Sequence, residues 1–393
     1  MTRIPITGIG VIAPGAIGVE AFRAQLKSGR SAAAAIERFD TAGLRAHNAA
    51  LVRDFKPKDF IPPMKMRRMN TLSRLGVAAA RLAIDDCGGT LESNTGVAIG
   101  TAFGPVQTSV EYMQEYVAKG PALAPPQLFA ESVANAPGSH IAIDWGLRGF
   151  NITITQRESS VLAAAMYASA QLIKNTVGAT LIGGVDEANE MLFSVLDRIG
   201  ALAYAEGDLD EAARPFDRRR NGIMLGEAGA MLVAGAGTRT PYGYLSGFGM
   251  ARDTTASISD WGTGHESVAT AMRAAIDDAE LSVGEIDAIY ASANGSLRGD
   301  ALEQRAIESL FERVPPVVAT KGLFGEYAAG GGLQLAAALL ALDEQKLHAS
   351  PGFEEGDLPV TRETRDAELR HVLVSSLSAG GGIVCAVVSR EAA

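Results

Sequence analysis

The sequence is poor in cysteine and contains no long uncharged apolar run. Its two cysteines, Cys87 and Cys385, are too few and too far apart to build a disulfide framework or a cysteine metal cage. No segment approaches the ~20 apolar residues that a membrane-spanning helix needs, and residues 1–10 lack the organisation of a signal peptide. We therefore expect a cytoplasmic protein without membrane contact, and neither a metal nor a cofactor.

Cationic side chains are scarce relative to anionic ones. Lys and Arg number 35 against 45 Asp and Glu, so the net charge is −10 at pH 7. This acidity excludes nucleic-acid binding through the whole surface, because the phosphate backbone is repelled. It leaves room for local basic patches, and two basic runs are present at 65–68 and 218–220. Glycine, in contrast, is abundant with 44 residues, many of them paired or tripled at predicted strand ends.

Strand and helix patterns alternate through the 393 residues in two rounds. In the first round, residues 73–86 predict an amphipathic helix before a strand, and the apolar run 160–174 predicts a helix that is buried on all sides. A turn-rich stretch around 238–243 precedes a second round of the same pattern. The order of elements therefore predicts an α/β protein of two halves, 1–240 and 241–393, each with its own core layer.

Six segments, in order and at ordinary spacing, resemble one protein family. They are ITGIGVIAPGAIG from Ile6, SVANAPGSHIAIDWGLRGFNITIT from Ser132, LIGGVDEANEMLF from Leu181, ARPFDRRRNGIMLGEAGAMLV from Ala213, YASANGSLRGDALEQRAI from Tyr290 and VVATKGLFGEYAAGGG from Val317. Together they make the chain similar to the β-ketoacyl synthases of type II systems and polyketide assembly. The resemblance implies the thiolase fold, in which two duplicated βαβαβαββ halves form a five-layer αβαβα sandwich.

The resemblance breaks down at the family's nucleophile. Family members have a cysteine in a Thr-Ala-Cys turn, and here the turn reads Thr155-Gln156-Arg157-Glu158, which places Glu158 at the cysteine position. A carboxylate at the start of a helix is stabilised by the helix dipole, as a thiolate would be. It cannot hold an acyl chain as a thioester. Covalent loading is therefore not expected.

Both histidines of the family's site are replaced as well. The Ala-His-Gly-Thr motif of the family has Asn294 here, and the Lys-(x)3-Gly-His motif keeps Lys321 but has Glu326 in place of histidine. Asparagine can donate a hydrogen bond but cannot change charge near neutral pH, and an ionised Glu326 would repel a developing enolate. The gating loop, usually Phe-Gly-Phe-Gly-Gly-Thr in the family, has Leu377 and Ala379 in place of its two aromatic residues.

These departures predict a chain length factor, the inactive partner of an active ketosynthase in polyketide or aryl-polyene synthesis. The resemblance implies a heterodimer in which this chain closes the partner's acyl tunnel. Alignment with the family places the tunnel-end candidates at Phe103, Gln127, Leu128 and Phe129. For any single one of these residues, a plain role in the interface or core is the favoured explanation.

An acyl carrier protein is expected to dock mainly on the partner subunit. Carrier proteins are acidic, so direct contact with this chain would need exposed basic groups. The candidates are Lys65, Arg67 and Arg68 in the first basic run, with 218–220 as a second cluster. Both runs also have a plain interpretation as solvated or salt-bridged surface.

Two other functions stay open on the residues alone. In one, Glu158 and Glu326 form an acid–base pair and the chain decarboxylates a malonyl carrier protein. In the other, a homodimer binds acyl chains in the empty pocket. Against the acid–base pair, buried carboxylates need partners, so Glu158 is expected to form a salt bridge with Lys321 or Arg157.

Overall fold

The computed structural model describes residues 3–327 and 329–391. Its strands are β1 (Ile4–Ala13), β2 (Ala16–Ile17), β3 (Ala34–Ala35), β4 (Asn48–Ala49), β5 (Thr95–Gly100), β6 (Asn151–Ile154), β7 (Ala179–Asp186), β8 (Ala228–Ala234), β9 (Gly243–Arg252), β10 (Ala288–Tyr290), β11 (Val317–Val318), β12 (Lys346–Leu347), β13 (Arg365–Asp366), β14 (His371–Leu377) and β15 (Gly382–Ser389). Its helices are α1 (Val19–Ser28), α2 (Pro63–Met66), α3 (Thr71–Asp86), α4 (Val106–Lys119), α5 (Pro126–Glu131), α6 (Ala136–Trp145), α7 (Ser160–Ile173), α8 (Glu190–Arg198), α9 (His265–Asp278), α10 (Leu297–Leu310), α11 (Lys321–Phe324) and α12 (Gly332–Glu344). None of the helices in this part of the chain has the length and apolarity to cross a bilayer.

The main sheet repeats one strand order in its two halves. The first half has the order β6-β5-β7-β8-β1, and the second has β11-β10-β14-β15-β9. In each half the first three strands run parallel and the next two pairings are antiparallel. Strand β1 also pairs with β9, with Ile4 opposite Leu245, which joins the halves into one sheet. Both halves thus follow the predicted βαβαβαββ order.

Helices form three layers, one on each half of the sheet and one that packs against strands of both halves. On the first half, α3 and α6 contribute Leu75 and Ile141 to one core, and on the second half, α9 and α10 contribute Met272 and Leu302 to another. The helices α7 and α12 share a third core with strands of both halves. Helix α12 is apolar on nearly all sides, and each of its residues from 332 to 342 is buried, as a central-layer helix must be. The predicted five-layer αβαβα sandwich of the thiolase fold is confirmed.

The opening strands of the two halves use glycine in the same way. A side-chain carbon on Gly10 in β1 would lie 2.0 Å from the carbonyl oxygen of Ala79 in α3. A side-chain carbon on Gly249 in β9 would lie 2.0 Å from the carbonyl oxygen of Ala271 in α9. Only glycine therefore allows each helix to pack directly on its strand. The duplication extends to individual packing positions.

Candidate functional site

A buried turn between β6 and α7 carries Glu158. After β6 the chain forms a 3-10 turn at Arg157–Ser159, and α7 begins at Ser160. Arg157 has a left-handed φ of 48°, which is unfavourable for a residue with a side chain. Ser376 in β14 donates a hydrogen bond of 2.8 Å to the carbonyl oxygen of Glu158. The second half of the molecule thus supports the strained turn, and Glu158 is 1% exposed.

One oxygen of the Glu158 carboxyl group has a partner and the other has none. The hydroxyl of Tyr327 donates a hydrogen bond of 2.9 Å to Oε1, whereas Oε2 is buried without a hydrogen-bond partner among the described residues. Burial, and then repulsion from Glu326, raise the pKa of Glu158 to about 7. Burial also raises the pKa of Tyr327 well above its usual range, so the hydroxyl stays protonated. The carboxyl group at the nucleophile position therefore holds its proton to a higher pH than an exposed glutamate does.

The other three altered or retained positions of the site meet in one cluster. Oε2 of Glu326 accepts hydrogen bonds from Nδ2 of Asn294 at 2.6 Å and from Nζ of Lys321 at 2.7 Å. Oε1 of Glu326 accepts one from the backbone N–H of Tyr327 at 2.9 Å. The Asn294, Lys321 and Glu326 residues are between 2% and 5% exposed. The ion pair of Lys321 and Glu326 is tolerated at this depth because both carboxylate oxygens of Glu326 accept hydrogen bonds.

A further buried acid, Asp300, holds the loop that carries Asn294. Oδ1 of Asp300 accepts a hydrogen bond of 3.0 Å from the backbone N–H of Asn294, and Oδ2 accepts one of 2.8 Å from that of Phe216. Burial raises the pKa of Asp300 to about 6.

Despite these buried acids, no three His, Cys, Asp or Glu side chains in the described ranges are arranged to hold a metal ion.

The expected salt bridge of Glu158 with Lys321 or Arg157 is wrong. Lys321 begins the short helix α11, and the chain turns after it so that Glu326 meets the ammonium group. Within residues 3–327 and 329–391, Glu158 forms no ion pair, and Tyr327 is its hydrogen-bond partner. A neutral donor suffices because burial favours the uncharged form of the carboxyl group. Tyr327 follows Glu326 in the same motif, but no local pattern shows which group its side chain reaches.

The loop after β14 is fastened to the Glu158 turn by Ser378. Oγ of Ser378 lies 2.6 Å from Oγ of Ser159 and donates a hydrogen bond of 2.8 Å to the carbonyl oxygen of Gln156. Ala379 lines a cavity of about 580 Å³ beside this contact. Leu377, in contrast, is buried in the core of the second half and does not line that cavity. Leu377 still belongs to β14, and the degenerate gate at positions 377 and 379 stays a prediction.

An apolar groove lies along α4 and reaches α8. It has a volume of about 760 Å³ and is lined by Phe103, Val106, Ser109, Val110, Met113, Gln114, Val117, Ala118 and Met191. We call this surface the α4 groove. Met113 and Val117 are 52% and 78% exposed. Contiguous exposed apolar side chains of this kind mark surfaces that bind a partner or a ligand.

The four predicted tunnel residues lie in different places. Phe103 lines the α4 groove. Gln127 and Leu128 face a separate cavity of about 230 Å³. Phe129 is 56% exposed and packs against Tyr112 of α4, with ring centroids 5.6 Å apart. Phe129 faces away from that cavity because consecutive residues of a helix differ in direction by about 100°, and α5 had not been predicted as a helix.

The two basic runs differ in how far they are neutralised. In the first, Lys65 forms a salt bridge with Asp144, whereas Arg67 and Arg68 are exposed and line the 230 Å³ cavity. The second run is salt-bridged, and its pairs include Arg218 with Glu355 and Asp357, and Arg219 with Asp217 and Glu354. Arg67 and Arg68 are thus the members of these runs that can meet an acidic partner.

The repeated βαβαβαββ halves, with a buried turn at the start of the central helix α7, define the scaffold of a thiolase-fold condensing enzyme. Residues 1–236 match the model of the β-ketoacyl synthase N-terminal domain, and residues 242–354 match that of its C-terminal domain. The chain belongs to the β-ketoacyl synthase family. The predicted family is confirmed.

Relatives include both ketoacyl synthase subunits of one polyketide synthase. The chain is 30% identical to the tetracenomycin polyketide synthase ketoacyl synthase beta subunit of Streptomyces glaucescens, over 86% of this chain and 85% of the relative. It is also 30% identical to the alpha subunit, over 99% and 97%. A solved structure described as the ishigamide ketosynthase/chain length factor is 27% identical, with a TM-score of 0.91 and 99% of both chains covered. Overall sequence identity does not distinguish the alpha from the beta type of subunit. The side chains of the site have to make this distinction.

Proposed function

We propose that this chain is a chain length factor, a subunit without condensing activity that pairs with an active ketosynthase and shapes its acyl tunnel. The observation that carries the proposal is the hydrogen-bonded cluster of Asn294, Lys321 and Glu326 next to Glu158. A condensing site needs a thiolate to hold the acyl chain and free donors aimed at the enolate oxygen. Here the nucleophile position holds a carboxyl group, and Asn294 and Lys321 both donate to Glu326.

Two features of the first half support pairing with a second subunit. Strand β6 is at the end of the strand order, so one of its edges is unpaired among the described strands. The α4 groove exposes apolar side chains. An active ketosynthase of the same fold is the proposed partner, and its growing acyl chain is the proposed occupant of the groove. The carrier protein would reach the complex through the partner, with Arg67 and Arg68 as the contribution of this chain.

Co-expression with an intact Cys–His–His ketosynthase, ideally one encoded beside this chain, tests the proposal. We expect an equimolar complex on size-exclusion chromatography, and chain elongation only when both subunits are present. The isolated chain should form no β-ketoacyl product. A stable homodimer that retains acyl chains without any ketosynthase would instead establish an acyl-binding protein.

A charge in the α4 groove should disrupt the heterodimer. Val117 is 78% exposed on α4, and V117E would bury a carboxylate if the partner covers it. Because an unpaired charge is costly to desolvate, we expect the dissociation constant to rise about tenfold or more. Isothermal titration with the purified partner measures this change.

The matched control for V117E is M64E, because Met64 in α2 is 81% exposed and lies outside the groove. We expect M64E to bind the partner as the unmodified chain does. Equal affinity of V117E and the unmodified chain would place the partner elsewhere on the surface.

The unpartnered Oε2 of Glu158 favours a second candidate function. A buried carboxyl group with a pKa of about 7 can deliver a proton, here to the enolate carbon that malonyl carrier protein leaves when carbon dioxide departs. The test is release of carbon dioxide from malonyl carrier protein by the purified chain and by E158A. Release that E158A abolishes while the variant stays folded would establish decarboxylation, and release at the uncatalysed rate would eliminate it.

A further inference from the structure

Tyr327 lies between the α4 groove and the Glu158 turn. On one side its ring packs edge-on against Phe103, with centroids 4.8 Å apart and planes at 65°, and Phe103 lines the groove. On the other side its hydroxyl donates to Oε1 of Glu158 at 2.9 Å. Phe103 and Tyr327 together therefore fill the space between the α4 groove and the buried carboxyl group.

The conformation of Tyr327 is strained and held from several directions. Its φ is 58°, in the left-handed region that aromatic residues rarely adopt. Its backbone N–H donates a hydrogen bond to the carboxylate of Glu326. Its ring belongs to a core that includes Ala102, in the loop before the groove, and Leu192 of α8. A strained residue persists only when its surroundings determine it. These contacts hold the ring in place.

We propose that Tyr327 is the wall that closes the inner end of the α4 groove, and that it thereby limits the length of the acyl chain that the groove accepts. The identity of the occupant rests on the function proposed above. An apolar linear chain fits the lining, which includes Phe103, Val106, Val110 and Met113 and contains no charged side chain. Tyr327 packs behind Phe103, which lines the groove, so removal of its ring would take away the support of Phe103 and open space between the groove and Glu158.

Labelling of a thiol introduced by E158C tests the wall in the isolated chain, without any partner. The variants to compare are E158C/Y327G and E158C/Y327F, since glycine tolerates the left-handed backbone and phenylalanine keeps the ring. The native thiols of Cys87 and Cys385 are both 0% exposed, and the rate measured for a variant without E158C gives their contribution to the reaction with a long-chain N-alkyl maleimide.

We expect E158C/Y327G to react about tenfold faster or more than E158C/Y327F, because a thiol behind an intact wall reacts only after local opening. Adding V110W, which fills the α4 groove, should cancel the acceleration and so identify the groove as the route. Equal rates for the glycine and phenylalanine variants, or an acceleration that V110W leaves unchanged, would overturn the proposal.

Product length in the reconstituted pair provides the second test. Y327G should shift the products to chains longer by at least one elongation cycle, and Y327F should leave their length unchanged. If Y327G fails to pair, Y327L shortens the wall while keeping an apolar side chain and should give the same direction of change. Unchanged lengths with pairing intact would refute the wall alone, whereas absence of pairing in the unmodified chain would refute the proposed function.

Discussion

Replacement of Lys321 by methionine is expected to lower the free energy of unfolding by roughly 3–5 kcal/mol, the usual loss when one member of a buried ion pair is removed. In K321M the carboxylate of Glu326 would stay buried, with only the amide of Asn294 and the backbone N–H of Tyr327 as donors. Its charge would have no counter-ion close by. Urea unfolding followed by circular dichroism measures the change.

The double variant K321M/E326M and a surface control make this prediction specific. K321M/E326M removes both charges and should recover most of the stability, since two well-packed apolar side chains replace a buried pair at little net cost. K65M breaks the salt bridge with Asp144, in which Lys65 is 51% exposed, and should cost at most about 1 kcal/mol. Equal losses for K321M and K65M would contradict a buried, structurally required pair.

Replacement of Glu158 by glutamine should stabilise the protein, and increasingly so as the pH rises. The pKa of Glu158 is about 7 in the folded chain and near 4.5 when the group is free of the protein's influence. The folded state therefore binds the Glu158 proton more tightly, and the stability from this site is present below pH 4.5 and lost as the pH rises through 7. The difference between these two pKa values corresponds to a loss of roughly 3 kcal/mol in the free energy of unfolding. Glutamine stays neutral and escapes that loss.

The measurement is the difference in unfolding free energy between E158Q and the unmodified chain at pH 5 and at pH 8. Burial also raises the pKa of Glu187 and of Glu303 to about 7, but these groups are present in both proteins and cancel in the difference. E37Q, at an exposed position, serves as the control and should show no pH-dependent gain. A gain for E158Q that is the same at both pH values would mean that Glu158 does not carry the raised pKa.

The two predictions share one physical basis, because the site is filled as a protein core is filled. Glu326 is satisfied at both oxygens by Asn294, Lys321 and the backbone of Tyr327. Tyr327 also occupies the space next to Glu158. Restoring a cysteine at position 158 alone would therefore not restore a condensing site, since both donors would still be bound to Glu326.

Much of the fold and the altered positions were predictable from the sequence. The alternation of strands and helices predicted the two halves, and the wholly apolar run at 160–174 predicted the central helix α7, observed at Ser160–Ile173. The substitutions at Glu158, Asn294 and Glu326 follow from counting along motifs. Such features are local, and periodicity and spacing report them directly.

The partners of the site residues were not predictable in this way. Gln127 and Leu128 were grouped with Phe103 as tunnel residues, yet they face another cavity because α5 turns them away. Lys321 was expected to bind Glu158 and binds Glu326 instead. In both cases, residue type was correct evidence for a polar or apolar role but not for direction.

The sequence by itself determined the family, the duplicated α/β architecture and the absence of a thiol and two imidazoles at the motif positions, because each of these is written in local patterns. Only the tertiary structure decided which side chains neutralise the remaining charges and which residues line the groove. Tyr327 and Glu158 are 169 residues apart in the chain, and their hydrogen bond exists because both halves of the sandwich meet at α7. Such contacts depend on how distant segments pack together, and the pattern of residues along one segment does not show this packing.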